Sequence, residues 1–110
     1  MEDKELELIL NDLREVRHDY DSMYLKEVNK LSELLRKIMS KLFYLADIRV
    51  EYHEKWLDVY NETTGTNAAK EREADNQVRE LYQIRHITRI AEKTGEAIRS
   101  QISLYKNENK

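Results

Sequence analysis

The stretch Thr63-Thr64-Gly65-Thr66-Asn67 decides the fold, because it is the only plausible reverse turn in a 110-residue chain with two glycines and no proline. Gly65 suits the left-handed conformation that closes a helix C-terminus, and Asn67 can accept from the first free amides of a following helix. The long segments on either side are therefore expected to fold back on one another.

Upstream of the turn, Tyr24, Val28, Leu31, Leu35, Ile38, Leu42 and Leu45 follow at spacings of 4, 3, 4, 3, 4 and 3, a heptad seam. Around that helix, Leu25, Met39, Phe43, Val50 and Leu57 widen the apolar arc on one side, and Leu34 and Ile48 widen it on the other. At about 100° per residue the arc covers roughly 200°, too wide for one partner helix. Downstream, Ile84, Ile87, Ala91, Thr94, Ile98, Ile102 and Tyr105 form a second seam, which Ala74, Val78 and Leu81 reach through a run of threes that predicts local overwinding. Ala91 and Gly95 offer a close approach to a neighbouring backbone, and Ala68, Ala69 and Ala74 leave room for Trp56.

Ahead of the first seam, Leu6, Ile9, Leu13, Val16 and Tyr20 make one stripe of a short amphipathic helix. Asp19, Asp21 and Ser22 are weak helix formers and good caps, so a break or kink is expected there; the alternative is one helix running to residue 62. The resulting expectation is all-α: a single helical domain over residues 1–110, with helices at about 3–20, 22–62 and 67–106 and a turn at 63–67. In the antiparallel register, residue numbers summing to about 130 face each other, which brings Asp47, Glu51, Glu54 and Asp58 near Arg72, Arg79 and Arg85. A first helix of 18 residues covers less than half of that hairpin, so self-association into a homo-oligomeric helical bundle is expected. Leu31, Leu35, Ile38, Leu42, Leu45, Ile84, Ile87, Ala91, Ile98 and Ile102 are the residues assigned to the hairpin or oligomer seam.

Composition narrows the function. The absence of cysteine excludes a disulfide scaffold, a thiol nucleophile and a zinc-thiolate site. His18, His53 and His86 fall in separate segments without metal-ligand spacing, and no phosphate loop, nucleophile elbow or Ser/His/Asp arrangement occurs. The pairs Asp47/Glu51 and Glu51/Glu54 are at helical spacing, but a solvated face accounts for them. The chain is read as non-enzymatic, with no cofactor, metal or small-molecule substrate. It has an acidic start and no long apolar run, so no membrane partner is expected and a cytoplasmic location is.

The net charge of −3 hides a gradient: residues 1–21 carry eight acids and three bases, residues 22–62 seven of each, and residues 63–110 seven acids and nine bases. A nonspecific nucleic-acid binder usually shows a strong basic excess, so any DNA contact has to be local. Lys26, Lys30, Lys37 and Lys41 form a ridge that can follow a phosphate backbone or serve as a solvated flank. Tyr44 beside it is the best stacking candidate, Tyr24, Tyr52 and Tyr105 are core candidates, and Tyr60 and Tyr82 are undecided. Arg85, Arg89, Glu92, Glu96 and Arg99 share an outward face of mixed sign.

Residues 65–108, with Lys70, Arg72, Ala74 and Asp75 after the turn and Arg99, Ser100, Ser103 and Lys106 near the end, resemble small helical-hairpin phage proteins encoded near recombination and replication genes. These are similar in build to phage recombination mediators. The resemblance implies a protein that oligomerises, binds single-stranded DNA and helps load a recombinase, with Arg72, Arg99 and Lys106 as DNA or partner contacts. The acidic N-terminus departs from the basic character of such mediators. A different class also fits: a small inhibitor that binds a host protein through the acidic first helix, so that removing residues 1–21 abolishes inhibition and leaves the hairpin folded. A third reading is a coiled-coil scaffold.

Overall fold

The structure, a computed structural model, describes residues 3–23 and 27–108. Four helices hold nearly all of them: α1 (Asp3–Ser22), α2 (Val28–Glu62), α3 (Asn67–Gln77) and α4 (Arg79–Glu108). Among the described residues there is no strand, and no helix is long and apolar enough to cross a membrane. The extents are 62 × 26 × 20 Å, a rod whose length is set by the 35-residue α2, itself about 52 Å at 1.5 Å per residue.

The first helix does end near Ser22, so one continuous helix to residue 62 is ruled out. The second begins at Val28 rather than 22, where the Glu27 carbonyl accepts from the Leu31 amide at 2.9 Å. Tyr24, Leu25 and Lys26 lie outside the described residues.

The turn works through threonines. At the end of α2 the Thr63 amide bonds the Val59 carbonyl at 3.0 Å, and the Thr63 hydroxyl donates to the same oxygen at 2.7 Å, so that the last turn closes without a glycine. Gly65 does adopt a positive φ of 121°, but two residues beyond that cap. The N-cap of α3 is Thr66, not Asn67: its hydroxyl accepts from the Ala69 amide at 3.2 Å. Asn67 instead accepts from the Tyr60 hydroxyl at 3.1 Å, tying α3 back to α2.

The segment expected as one helix over 67–106 breaks at Val78, which has φ −116° and ψ 66°. A run of three-residue steps (Val78, Leu81, Ile84, Ile87) drifts about 60° per step off a 3.6-residue helix. The chain corrects this at one residue instead of overwinding, with the Leu81 amide bonding the Val78 carbonyl at 3.3 Å in an i→i+3 contact.

Packing places α2 against all three other helices and α1 in the angle between α2 and α4. Where α2 meets α3 and α4, partners fall in number on one as they rise on the other: Tyr60 with Asn67, Trp56 with Asp75, Met39 with Arg99. The core is built from Leu31, Leu34, Ile38, Leu45, Ile48 and Tyr52 of α2, Leu81, Ile84, Ile87, Ala91 and Ile98 of α4, and Leu6, Leu10, Leu13 and Val16 of α1. Leu35, Leu42 and Ile102 pack half-buried at its edge. Each fully buried aliphatic side chain contributes about 1.5–3 kcal/mol, so α1 is an integral wall of the core. Tyr105, assigned to the second seam, stays 48% exposed beyond the last covered layer. The acidic row does not meet its expected arginines: Asp47, Glu54 and Asp58 make no ion pair with Arg72, Arg79 or Arg85 among the described residues. Glu54 and Arg85 line one groove without forming an ion pair, and the contacts at that level are the Trp56 Nε1 to Asp75 bond of 2.8 Å and the stacked rings of His53, Trp56 and Tyr60.

Candidate nucleic-acid interface

The end of the lysine ridge nearest α1 is engaged within the molecule. Lys41 Nζ lies 2.9 Å from Asp12 of α1 with both side chains part-shielded, and Lys37 and Lys41 line one cleft with Asp12, Glu15 and Asp19. Lys30 sits 4.0 Å from Glu27. The acidic face of α1 and the basic face of α2 thus offset each other where the helices pack, leaving Lys37 and Lys41 poorly placed to track phosphates. Tyr44 is exposed beside it, and Lys26 lies outside the described residues.

A different row replaces it. On the outer face of α4, Arg79, Tyr82, His86, Arg89 and Lys93 recur at spacings of 3, 4, 3 and 4, all exposed and with no acid among them. These spacings keep the five side chains on one stripe about 21 Å long. The Tyr82 ring is 73% exposed and lies parallel to the His86 ring, with centroids 6.3 Å apart and planes 2° apart. Arg79, Arg89 and Lys93 make no ion pair among the described residues.

Along one border, α1 adds Arg14 and Arg17, which line a shallow cavity of about 250 Å³ with His86, Ile87 and Ile90. Arg17 is held in place: its Nε donates to Asp21 at 2.9 Å and its Nη1 to Thr94 Oγ1 at 3.1 Å. Arg14 donates to Asn11 at 3.1 Å and has no carboxylate partner among the described residues. Cations without carboxylate partners attract phosphate, and an exposed aromatic face stacks on an unpaired base, worth about 1–3 kcal/mol per base. The combination suits a single strand better than a duplex.

The residues carried over from the phage resemblance do not converge. Arg72 is exposed on α3, Arg99 Nη2 rests 3.4 Å from the Met39 sulfur in the groove between α4 and α2, and Lys106 sits in the last turn of α4. The mixed-sign face splits as well, because Arg85 and Glu92 line that same groove while Arg89 stands on the outer stripe. Among the described residues no three His, Asp or Glu side chains gather as a metal site. The row at 79–93 escapes a linear reading because Glu80 and Glu92 interleave with it; the 3-4-3-4 count would have isolated it.

No protein-family model matches the chain, and no significant match arises among curated proteins or solved structures.

Proposed function

We propose that this chain is a non-catalytic, oligomeric accessory protein of phage type that assists DNA recombination or replication, holding single-stranded DNA along the outer stripe of α4 while its other faces engage protein. In this reading α2 and the α3–α4 arm are the two limbs of a helical hairpin. The observation that carries it is the exposed Tyr82–His86 stack set between Arg79, Arg89 and Lys93 with no acid in the row.

The test is fluorescence anisotropy of a labelled single-stranded oligonucleotide across a salt series. Expected is binding that weakens steeply with salt, with the slope reduced by about one for each phosphate-contacting cation removed. Absence of binding by the folded protein at low salt overturns the reading.

The alternative, an inhibitor that seizes a basic groove with α1, draws support from the exposed carboxylates of that helix, such as Glu5, Glu7 and Glu15. It has to act as part of the folded body, since the apolar face of α1 is in the core.

A further inference from the structure

The main heptad of α2 is consumed by α1 and α4, yet a second seam on the same helix stays exposed. Among the contacts of the described residues it is touched within the chain only where Met39 meets Arg99 and His53 stacks on Trp56. Met39, Phe43, Ala46, Val50, His53 and Leu57 follow at spacings of 4, 3, 4, 3 and 4, and every one is exposed, Phe43 by 76% and Val50 by 58%. A single exposed apolar residue is ordinary; five in heptad register with one histidine among them, over about 27 Å, are a helix-docking face.

The flanks of this seam differ in charge. On the α4 side stand Arg49 and Arg85, which line the groove together, and Arg99, against Glu92 and Glu96. The other side of the seam carries Asp47, Glu51 and Asp58, with Glu54 on the rim of the groove across Val50 from Arg49. Two copies meeting antiparallel would set Arg49 beside Arg49 and Asp47 beside Asp47, which like-charge repulsion opposes. Two copies meeting parallel and in register set Arg49 of each against the Asp47 and Glu54 flank of the other. Arg49 precedes Glu54 by five residues, the interval that joins flanking positions across a parallel coiled coil.

We propose that the Met39–Leu57 face of α2 binds a second copy of this chain, parallel and in register, as a two-fold dimer with Arg49–Glu54 ion pairs on both sides of the seam. This deepens the assembly part of the proposed function and is tested without nucleic acid, so failure of one leaves the other standing. A strip this long and one to two helix diameters wide offers on the order of 300–600 Å² per copy, below the usual 800 Å² or so, which places the dimer in the micromolar range and not among obligate ones.

Sedimentation equilibrium of the whole chain up to about 200 µM should show mass rising from 13.3 kDa toward twice that value. The double variant Phe43→Glu, Val50→Glu should weaken association at least about 30-fold while keeping its helical circular dichroism. Because the chain has no cysteine, Met39→Cys and Leu57→Cys report orientation directly. On mild oxidation each should form a disulfide with itself, and a mixture should yield no cross-pairing between positions 39 and 57. A wild type that stays monomeric, a mass unchanged by the double variant, or cross-pairing of 39 with 57 overturns the proposal. Exchanging the charges, Arg49→Glu with Glu54→Arg, should restore association that either change alone reduces.

Discussion

Arg17 of α1 donates to Thr94 of α4 at 3.1 Å, and Thr94, 1% exposed, donates its own hydroxyl to the Ile90 carbonyl at 2.8 Å. Apart from the Tyr52 phenol, Thr94 is the one fully buried polar side chain among the described residues, and both sides of its hydroxyl are satisfied. Thr94→Val keeps the volume and removes the acceptor for a guanidinium that retains Asp21 and solvent. The expected cost is about 0.5–1.5 kcal/mol in chemical denaturation, with unchanged helix content.

The attachment of α1 separates apolar from ionic contributions. Leu10→Ala should cost about 2–5 kcal/mol, because Leu10 is 2% exposed in the core. Asp12→Asn should cost less than about 1 kcal/mol, since the Asp12–Lys41 pair is part-exposed and screened by salt. Equal losses in urea melts would show that the ion pair, not burial, seats the helix. Removing residues 1–21 should strip the core of one wall and lower stability sharply, so the separable acidic arm expected from the sequence is not available as a clean deletion.

The two glycines should respond with opposite sign. At Gly65 the φ of 121° is strained for any L side chain, so Gly65→Ala is expected to destabilise by about 1–3 kcal/mol. At Gly95 an added Cβ would meet Leu35 Cδ1 at 3.7 Å and Ile38 Cγ2 at 3.9 Å, ordinary contacts inside a helix. Gly95→Ala should therefore stabilise by about 0.5–1 kcal/mol, which thermal melts of the two variants would resolve.

Two charge changes test where the proposed strand-binding face lies. Arg89→Gln with Lys93→Gln should reduce the salt slope of oligonucleotide binding by about two, and Tyr82→Ala should weaken binding by about 1–3 kcal/mol with little change in slope. Lys37→Gln with Lys41→Gln should leave binding nearly unchanged and act on α1 docking instead. The reverse pattern would return the interface to the lysine ridge.

Much of the core was legible because heptad spacing is a direct consequence of helical geometry: Leu31, Ile38 and Leu45 on α2, and Ile84, Ala91 and Ile98 on α4, are all buried as their periodicity requires. The projection also showed that the arc on α2 was too wide for one neighbour. It could not show which flank α1 would cover, since Leu34 and Ile48 on one side and Met39, Phe43 and Val50 on the other are equally apolar. The charge of α1 settles it, by pairing with Lys41. The caps went to Thr63 and Thr66 because a threonine hydroxyl adjoining the helix end reaches the free groups more directly than Gly65 or Asn67. The candidate interface was hidden for a similar reason: Tyr82 and His86 acquire meaning only once α4 is seen to turn its other faces inward.

The break at Val78 has a consequence for how the molecule comes apart. It leaves α3 as an 11-residue helix with Ala74 as its one buried residue, joined to α4 without a shared hydrogen-bond ladder and held to α2 by the Trp56–Asp75 and Tyr60–Asn67 bonds. A helix this short and polar has little intrinsic persistence, so the tip of the rod is a separate opening unit with a lower free energy than the body. Native-state hydrogen exchange should find the amides of residues 67–77 exchanging by local fraying, while those around Ile84–Ile98 exchange only with global unfolding. The rod would then melt from the turn toward its middle, and Trp56, the one tryptophan, sits where fluorescence reports that first step.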